Sequence, residues 1–168
     1  NEICDYVLNK MTDNNGGFYS AEDADSEGEE GTFYIWKRND FKSVLSDEEY
    51  LFVTDILNIY DDGNAIVENE KVNIPHLTNN WDTIYLKYKH KFSNKDELYK
   101  YYNDLRYKIY KSRENRVHPQ KDDKILTDWN GLMISALARA GSVIKNDKYI
   151  LAAQNCADFL IEKLISKE

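Results

Sequence analysis

Six of the nine residues from Glu22 to Glu30 are acidic: Glu22, Asp23, Asp25, Glu27, Glu29 and Glu30. Carboxylates this close repel one another unless solvent, a cation or basic side chains compensate. A second acidic segment runs Asp122-Asp123-Lys124-Ile125-Leu126-Thr127-Asp128-Trp129-Asn130-Gly131. Paired carboxylates whose pKa values are pushed apart perform general acid–base work on sugars. The Trp129 indole has a flat face that can stack on a sugar ring, and Asn130 offers both donor and acceptor. The competing reading is a salt-bridged loop entering a helix capped by Asp128 and packed by Trp129. For the first segment it is a solvated acidic tip over residues 27–30. Glu22, Asp23 and Asp25 differ from that tip. They sit on or just after a strand anchored by aromatic residues, where a fixed position facing a pocket is expected.

Other chemistries find less support. Asp23-x-Asp25-x-Glu27-Gly28 imitates the start of a calcium-binding EF-hand loop. The twelfth position is Tyr34, where a bidentate Glu is required, and aromatic residues follow where a helix should. His76, His90 and His118 lack partners at metal-ligand spacing. Cys4 and Cys156 form no CxxC pair and read as reduced thiols, although spacing leaves a bridge between them open. There is no glycine-rich phosphate loop and no G-x-S-x-G elbow. No cofactor is expected.

The elements that must hold these segments follow from periodicity. Ile3, Val7 and Met11 predict a first helix over 2–12, ended by Asp13-Asn14-Asn15-Gly16-Gly17. Residues 17–36 read as one β-hairpin with a broad acidic tip. A short helix is expected from Asp40 to Leu45 with Asn39 as cap, then a helix to about 59 opened by a Ser46/Glu49 capping box. Val72 and the Ile74-Pro75 step predict extended chain, and Trp81 to Tyr88 a helical turn or a loop. Ser93 with Asp96 opens a long helix over 94–114, with Leu98, Tyr102, Leu105 and Ile109 inward. A polar connection spans 115–127. Thr127 or Asp128 then caps a helix carrying Leu132, Ala136, Leu137, Ala140 and Ile144. A last helix from about Lys148 turns Leu151, Cys156, Phe159, Leu160 and Leu164 inward. The fold class is mainly α.

At 168 residues the chain has room for one domain of ordinary size. Hydrophobic residues at 42% and charged ones at 31% suit a folded protein. The net charge of −8 disfavours a phosphate backbone, so nucleic acid is not an expected partner. No apolar run reaches the length of a membrane helix, and no signal peptide is read. The expected location is cytoplasmic.

Residues 16–36, Gly-Gly-Phe-Tyr-Ser-Ala-Glu-Asp-Ala-Asp-Ser-Glu-Gly-Glu-Glu-Gly-Thr-Phe-Tyr-Ile-Trp, and 122–134, Asp-Asp-Lys-Ile-Leu-Thr-Asp-Trp-Asn-Gly-Leu-Met-Ile, resemble signature stretches of the spermatogenesis-associated, thioredoxin-domain-containing family. Asn73-Ile74-Pro75-His76 is loosely similar to a further family stretch. The resemblance implies part of an (α/α)6 toroid of helical hairpins, similar to that of N-acylglucosamine 2-epimerases and six-hairpin glycosidases. The family's thioredoxin-like domain is not expected in these residues, so redox chemistry is not carried over. A partial toroid exposes apolar helix faces, through which a fragment would self-associate.

The resemblance also implies a carbohydrate-like ligand, with glycosidase- or epimerase-like chemistry. The catalytic candidates are Glu22, Asp23, Asp25, Asp122 and Asp123. The binding candidates are Tyr19, Lys124, Trp129, Asn130 and His76. The carboxyl groups of 22–25 and 122–123 are expected about 5–10 Å apart across one cleft. The alternative is a non-catalytic module that binds a protein or metabolite alongside a thioredoxin-like domain.

Overall fold

The computed structural model describes residues 1–164. Their order is α1 (Glu2–Lys10), β1 (Ala21–Glu22), β2 (Asp25–Ser26), β3 (Glu29–Glu30), α2 (Arg38–Val44), α3 (Asp47–Ile56), β4 (Ala65–Val67), β5 (Glu70–Val72), α4 (Trp81–Tyr88), α5 (Lys95–Arg113), β6 (Lys121–Asp122), α6 (Thr127–Ile144) and α7 (Asp147–Lys163). The protein is mainly α, with three two-stranded antiparallel ribbons among the described residues. It divides into two compact units, Asn1–Asp23 with the chain from Gln120 onward, and Ala24–Pro119.

In the first unit, α6 and α7 pack along each other. Lys145 turns between them in the left-handed region at φ 55°. Gly141 permits the approach: a Cβ there would meet Ile150 Cγ1 at 2.7 Å and Asn146 O at 3.0 Å. Buried Leu137, Tyr149, Ala153, Cys156 and Leu160 form the core with Val7, Met11 and Phe18. Each large apolar side chain buried there contributes about 1.5–3 kcal/mol.

The inward stripe of α1 includes Cys4, Val7, Leu8 and Met11, the i, i+3, i+4, i+7 pattern of one helix face. The expected Ile3 lies off that stripe and is 80% exposed. Leu132 (72% exposed) and Ile144 on α6, and Leu151 and Leu164 at α7, likewise face outward. Apolar residues occur on both sides of these helices, so periodicity alone did not select the packed side. Leu126, with no side-chain hydrogen bond, stands at the α6 N-cap, where Thr127 or Asp128 was expected. The Asp128 carboxylate instead accepts from Trp129 N–H at 2.9 Å.

The second unit is built around Phe41, Phe52, Val53, Ile56, Leu98 and Leu105. The Ser46/Glu49 capping box forms as expected and opens α3. Asn94 caps α5 by accepting from Glu97 N–H at 2.9 Å, while Ser93 N–H donates to the Glu97 carboxylate. Leu98, Tyr102, Leu105 and Ile109 are its buried stripe, as their spacing predicts. The helix at 38–44 starts after Lys37, whose N–H donates to Asp40, so Asn39 lies inside the helix and is not its cap. Trp81–Tyr88 is a full helix capped by Asn80. Extended chain near Val72 takes the form of the β4–β5 ribbon.

Residues 17–36 are not one hairpin. Glu27 and Gly28 both adopt positive φ, 58° and 85°, the geometry of a tight hairpin turn. That turn closes only β2 on β3, pairing Asp25 with Glu30 and Ser26 with Glu29. The β1 strand takes its partner from β6, about a hundred residues away, and Trp36 bridges to Asn73.

Candidate functional site

The β1–β6 ribbon lies within the first unit. Ala21 stands opposite Asp122 and Glu22 opposite Lys121. Asp23 N–H donates to Gln120 O at 2.7 Å and extends the same register. Opposed residues of an antiparallel pair share a face, and successive residues alternate between faces. Asp23 and Asp122 are therefore diagonal neighbours on one face, a relation that places Cα atoms about 7–8 Å apart. Glu22 and Lys121 share the other face.

A cavity of about 460 Å³ opens at this ribbon, lined by Ala21, Glu22, Asp23, Gln120, Lys121, Asp122, Asp123 and Lys124. Four of the five expected catalytic carboxylates thus line one cavity. The fifth, Asp25, belongs to the other unit, in β2 opposite Glu30.

The carboxylates are held differently. Asp122 accepts from Lys124 Nζ at 3.1 Å and from Lys124 N–H at 3.2 Å. These bonds hold its pKa below the ordinary carboxylate value, so Asp122 stays ionised. Glu22 accepts from Tyr6 Oη at 2.5 Å, which ties α1 to β1. Lys121 Nζ donates to the Lys10 carbonyl. The Tyr19 hydroxyl donates to Asp13 at 3.4 Å; burial raises its pKa, with the charges of Asp13 and Asp123 adding to that shift.

Asn130 is not available to a ligand. It is 2% exposed. Its Oδ1 accepts from Phe18 N–H at 2.7 Å and from the Cys156 thiol at 3.2 Å. Its Nδ2 donates to Phe18 O and to Leu126 O, both at 2.9 Å. All four hydrogen-bonding positions of the amide are occupied. The side chain fastens the 17–20 segment to α6 and so positions β1. Its neighbour Trp129 is 51% exposed and presents an open ring. His76 lies in the second unit, with Nδ1 2.8 Å from Ile74 O and Nε2 3.2 Å from Asn58 Nδ2.

Sequence reasoning missed β6 and the clasp at Asn130. Both depend on pairing across about a hundred residues, and only the polar character of 115–127 and an Asn one turn into a helix hinted at them. Cys4 and Cys156 are free. Among the described residues, no group of three or more His, Cys, Asp or Glu is placed to hold a metal ion. No helix among them is long and apolar enough to cross a membrane.

No family model matches the chain. An uncharacterised Caenorhabditis elegans protein is 30% identical over 181 residues, covering 95% of this chain and 24% of the relative. The human spermatogenesis-associated protein 20 is 29% identical over 179 residues, covering 94% of this chain and 22% of its own length.

The chain is similar to spermatogenesis-associated protein 20.

The rat protein of that name repeats the match at 30% identity with the same coverage. The alignments take in nearly the whole chain, so both compact units fall within the similarity. The chain spans about a quarter of the length of these relatives.

Proposed function

We propose that the chain is a section of an α/α toroid of the spermatogenesis-associated, thioredoxin-domain-containing family, and that its β1–β6 cavity is a carbohydrate-active site. The observation that carries this reading is the placement of Glu22, Asp23, Asp122 and Asp123 around one cavity. Within it, Asp23 and Asp122 are the pair that shares a face. Two carboxylates on one face of a ribbon suit two-carboxylate hydrolysis, in which one group acts as acid and the other as base or nucleophile. Asp122, held ionised by Lys124, takes the part of the base that activates water, and Asp23 that of the acid. Trp129 remains the candidate stacking platform.

The test uses neutral mono- and disaccharides, followed by calorimetry for binding and by proton NMR for turnover. Saturable binding, with turnover lost in Asp23→Asn and Asp122→Asn at unchanged melting temperature, supports the reading. Failure of every sugar in such a panel to bind sinks it. A second reading, a non-catalytic module that holds a metabolite alongside a thioredoxin-like domain, is favoured by the bonds that already engage Asp122. It predicts binding without turnover.

A further inference from the structure

The second unit has a small cavity of about 160 Å³, lined by Trp81, Lys95, Asp96, Leu98 and Tyr99. Its walls are unusual in chemistry. The Trp81 and Tyr99 rings stand at 86° with centroids 5.1 Å apart, so they form a corner of two aromatic planes. Tyr102 backs the corner, 4.9 Å from the Trp81 ring. Trp81 opens α4, where Asn80 caps the helix by accepting from Thr83 N–H at 2.9 Å. Leu98 is buried and anchors the first turn of α5. The corner is thus fixed by two capped helices rather than by loop conformation.

The charges at this cavity are asymmetric. Lys95 is committed to an ion pair with Asp82. Asp96, on the cavity wall, makes no hydrogen bond or ion pair among the described residues. Behind the corner, outside the cavity lining, the Arg106 guanidinium lies 6.0 Å from the Tyr102 ring centroid. Aromatic faces draw a cation through the ring quadrupole, and a large, weakly hydrated cation loses little on leaving water. A compact ammonium such as that of lysine is strongly hydrated and gains less. Asp96 is exposed at the mouth of the cavity, where its negative charge favours a cation over an anion.

We propose that the Trp81–Tyr99 corner, with Asp96, binds an alkylated ammonium group of the trimethylammonium class. The site is independent of the β1–β6 cavity, because it lies wholly in the other unit and uses none of its residues.

The experiment titrates the protein with choline and with 3,3-dimethylbutan-1-ol, its uncharged isostere, while two-dimensional NMR follows the Trp81 indole N–H, assigned by Trp81→Phe. Saturable shifts with choline are expected, with the isostere weaker by about tenfold. Asp96→Asn is expected to weaken choline binding and leave the isostere unchanged. Tyr99→Leu, a substitution at an exposed position, is expected to weaken choline more. Titration with Nε-trimethyl-lysine in parallel distinguishes the source: tighter binding than choline assigns a modified protein side chain, and weaker binding a free or headgroup choline. Equal binding of choline and its isostere would show an apolar pocket and overturn the proposal. So would the absence of any Trp81 shift while the spectrum remains that of the folded protein.

Discussion

Asn130 and Phe18, 112 residues apart, are joined by two hydrogen bonds that run in opposite directions. Phe18 N–H donates to Asn130 Oδ1 at 2.7 Å, and Asn130 Nδ2 donates to Phe18 O at 2.9 Å. The side-chain amide supplies what a neighbouring strand would supply, at a position where Phe18 is buried and water is excluded. The same Oδ1 accepts from Cys156 on α7. One side chain thereby ties the segment leading into β1 to both long helices of its unit.

Replacing Asn130 with Ala leaves both backbone groups of Phe18 without these partners. Each unsatisfied buried polar group costs about 1–3 kcal/mol, so Asn130→Ala is expected to destabilise by about 2–4 kcal/mol. Asn130→Asp keeps the shape but places a carboxylate against the Phe18 carbonyl, and is expected to cost at least as much. Chemical denaturation measures both. A loss no larger than that of Ser135→Ala, at an exposed position on the same helix, would refute the clasp.

Arg116 plays the corresponding part in the second unit. Its Nη1 donates to the carbonyls of Ile35 at 2.5 Å and Phe33 at 3.1 Å, and Nη2 to Asp40 at 3.2 Å. The guanidinium lies 4.2 Å from the Trp36 ring centroid. Burial lowers its pKa, an effect that the charge of Asp40 opposes. Lysine keeps the charge but lacks the planar fork that reaches several carbonyls at once. Arg116→Lys is therefore expected to lower stability by about 1.5–3 kcal/mol. Thermal unfolding tests this, and a melting temperature equal to that of the parent protein counts against it.

What the sequence disclosed divides by the range of the contacts. The Ser46/Glu49 capping box and the Leu98, Tyr102, Leu105, Ile109 stripe were legible because their partners lie within a turn or two. The acidic 22–23 and 122–123 segments were recognisable by residue type, and they line one cavity. Their register was not legible, since the short β1 and β6 carry no alternating apolar pattern to align them. Nor was the role of Asn130, because an asparagine one turn into a helix has the same local signature whether it faces a ligand or a backbone. Leu132 and Ile3 misled for a related reason: periodicity finds an apolar face but not what covers it.

Cys156 gives a prediction in alkali. The thiol is fully buried beside Asn130, and burial raises its pKa from 9.0 to about 11. A pKa raised in the folded state gives stability that is complete below 9.0 and is lost as pH rises towards 11, where only the unfolded thiol ionises readily. Stability is expected to fall across that window, and Cys156→Ser, whose hydroxyl does not ionise there, to flatten the fall. At neutral pH a thiol reagent is expected to modify the half-buried Cys4 and to reach Cys156 only at the rate of unfolding. Rapid labelling of both residues in the native protein would contradict the burial.

Asp122 gives the opposite sign. Its carboxyl is held below the ordinary value first by the Lys124 ammonium and then by the Lys124 backbone N–H, with burial opposing. A lowered folded-state pKa gives stability that is present above the ordinary carboxylate value and is lost as the pH falls through the lowered one. Asp122 is exposed enough for solvent to screen this contribution, so the informative readout is the titration of the residue and not the melting temperature. Lys124→Met removes the ammonium and keeps the backbone donor. The Asp122 pKa is expected to rise part of the way back, as read from its Cγ carbon resonance, while Asn130 and the β1–β6 pairing hold the ribbon in place. If Asp122 is the base of the cavity, the acidic limb of any sugar-dependent activity moves upward by the same amount. An Asp122 titration unchanged by Lys124→Met would remove the lysine as the cause, and with it the reason to assign Asp122 the ionised role.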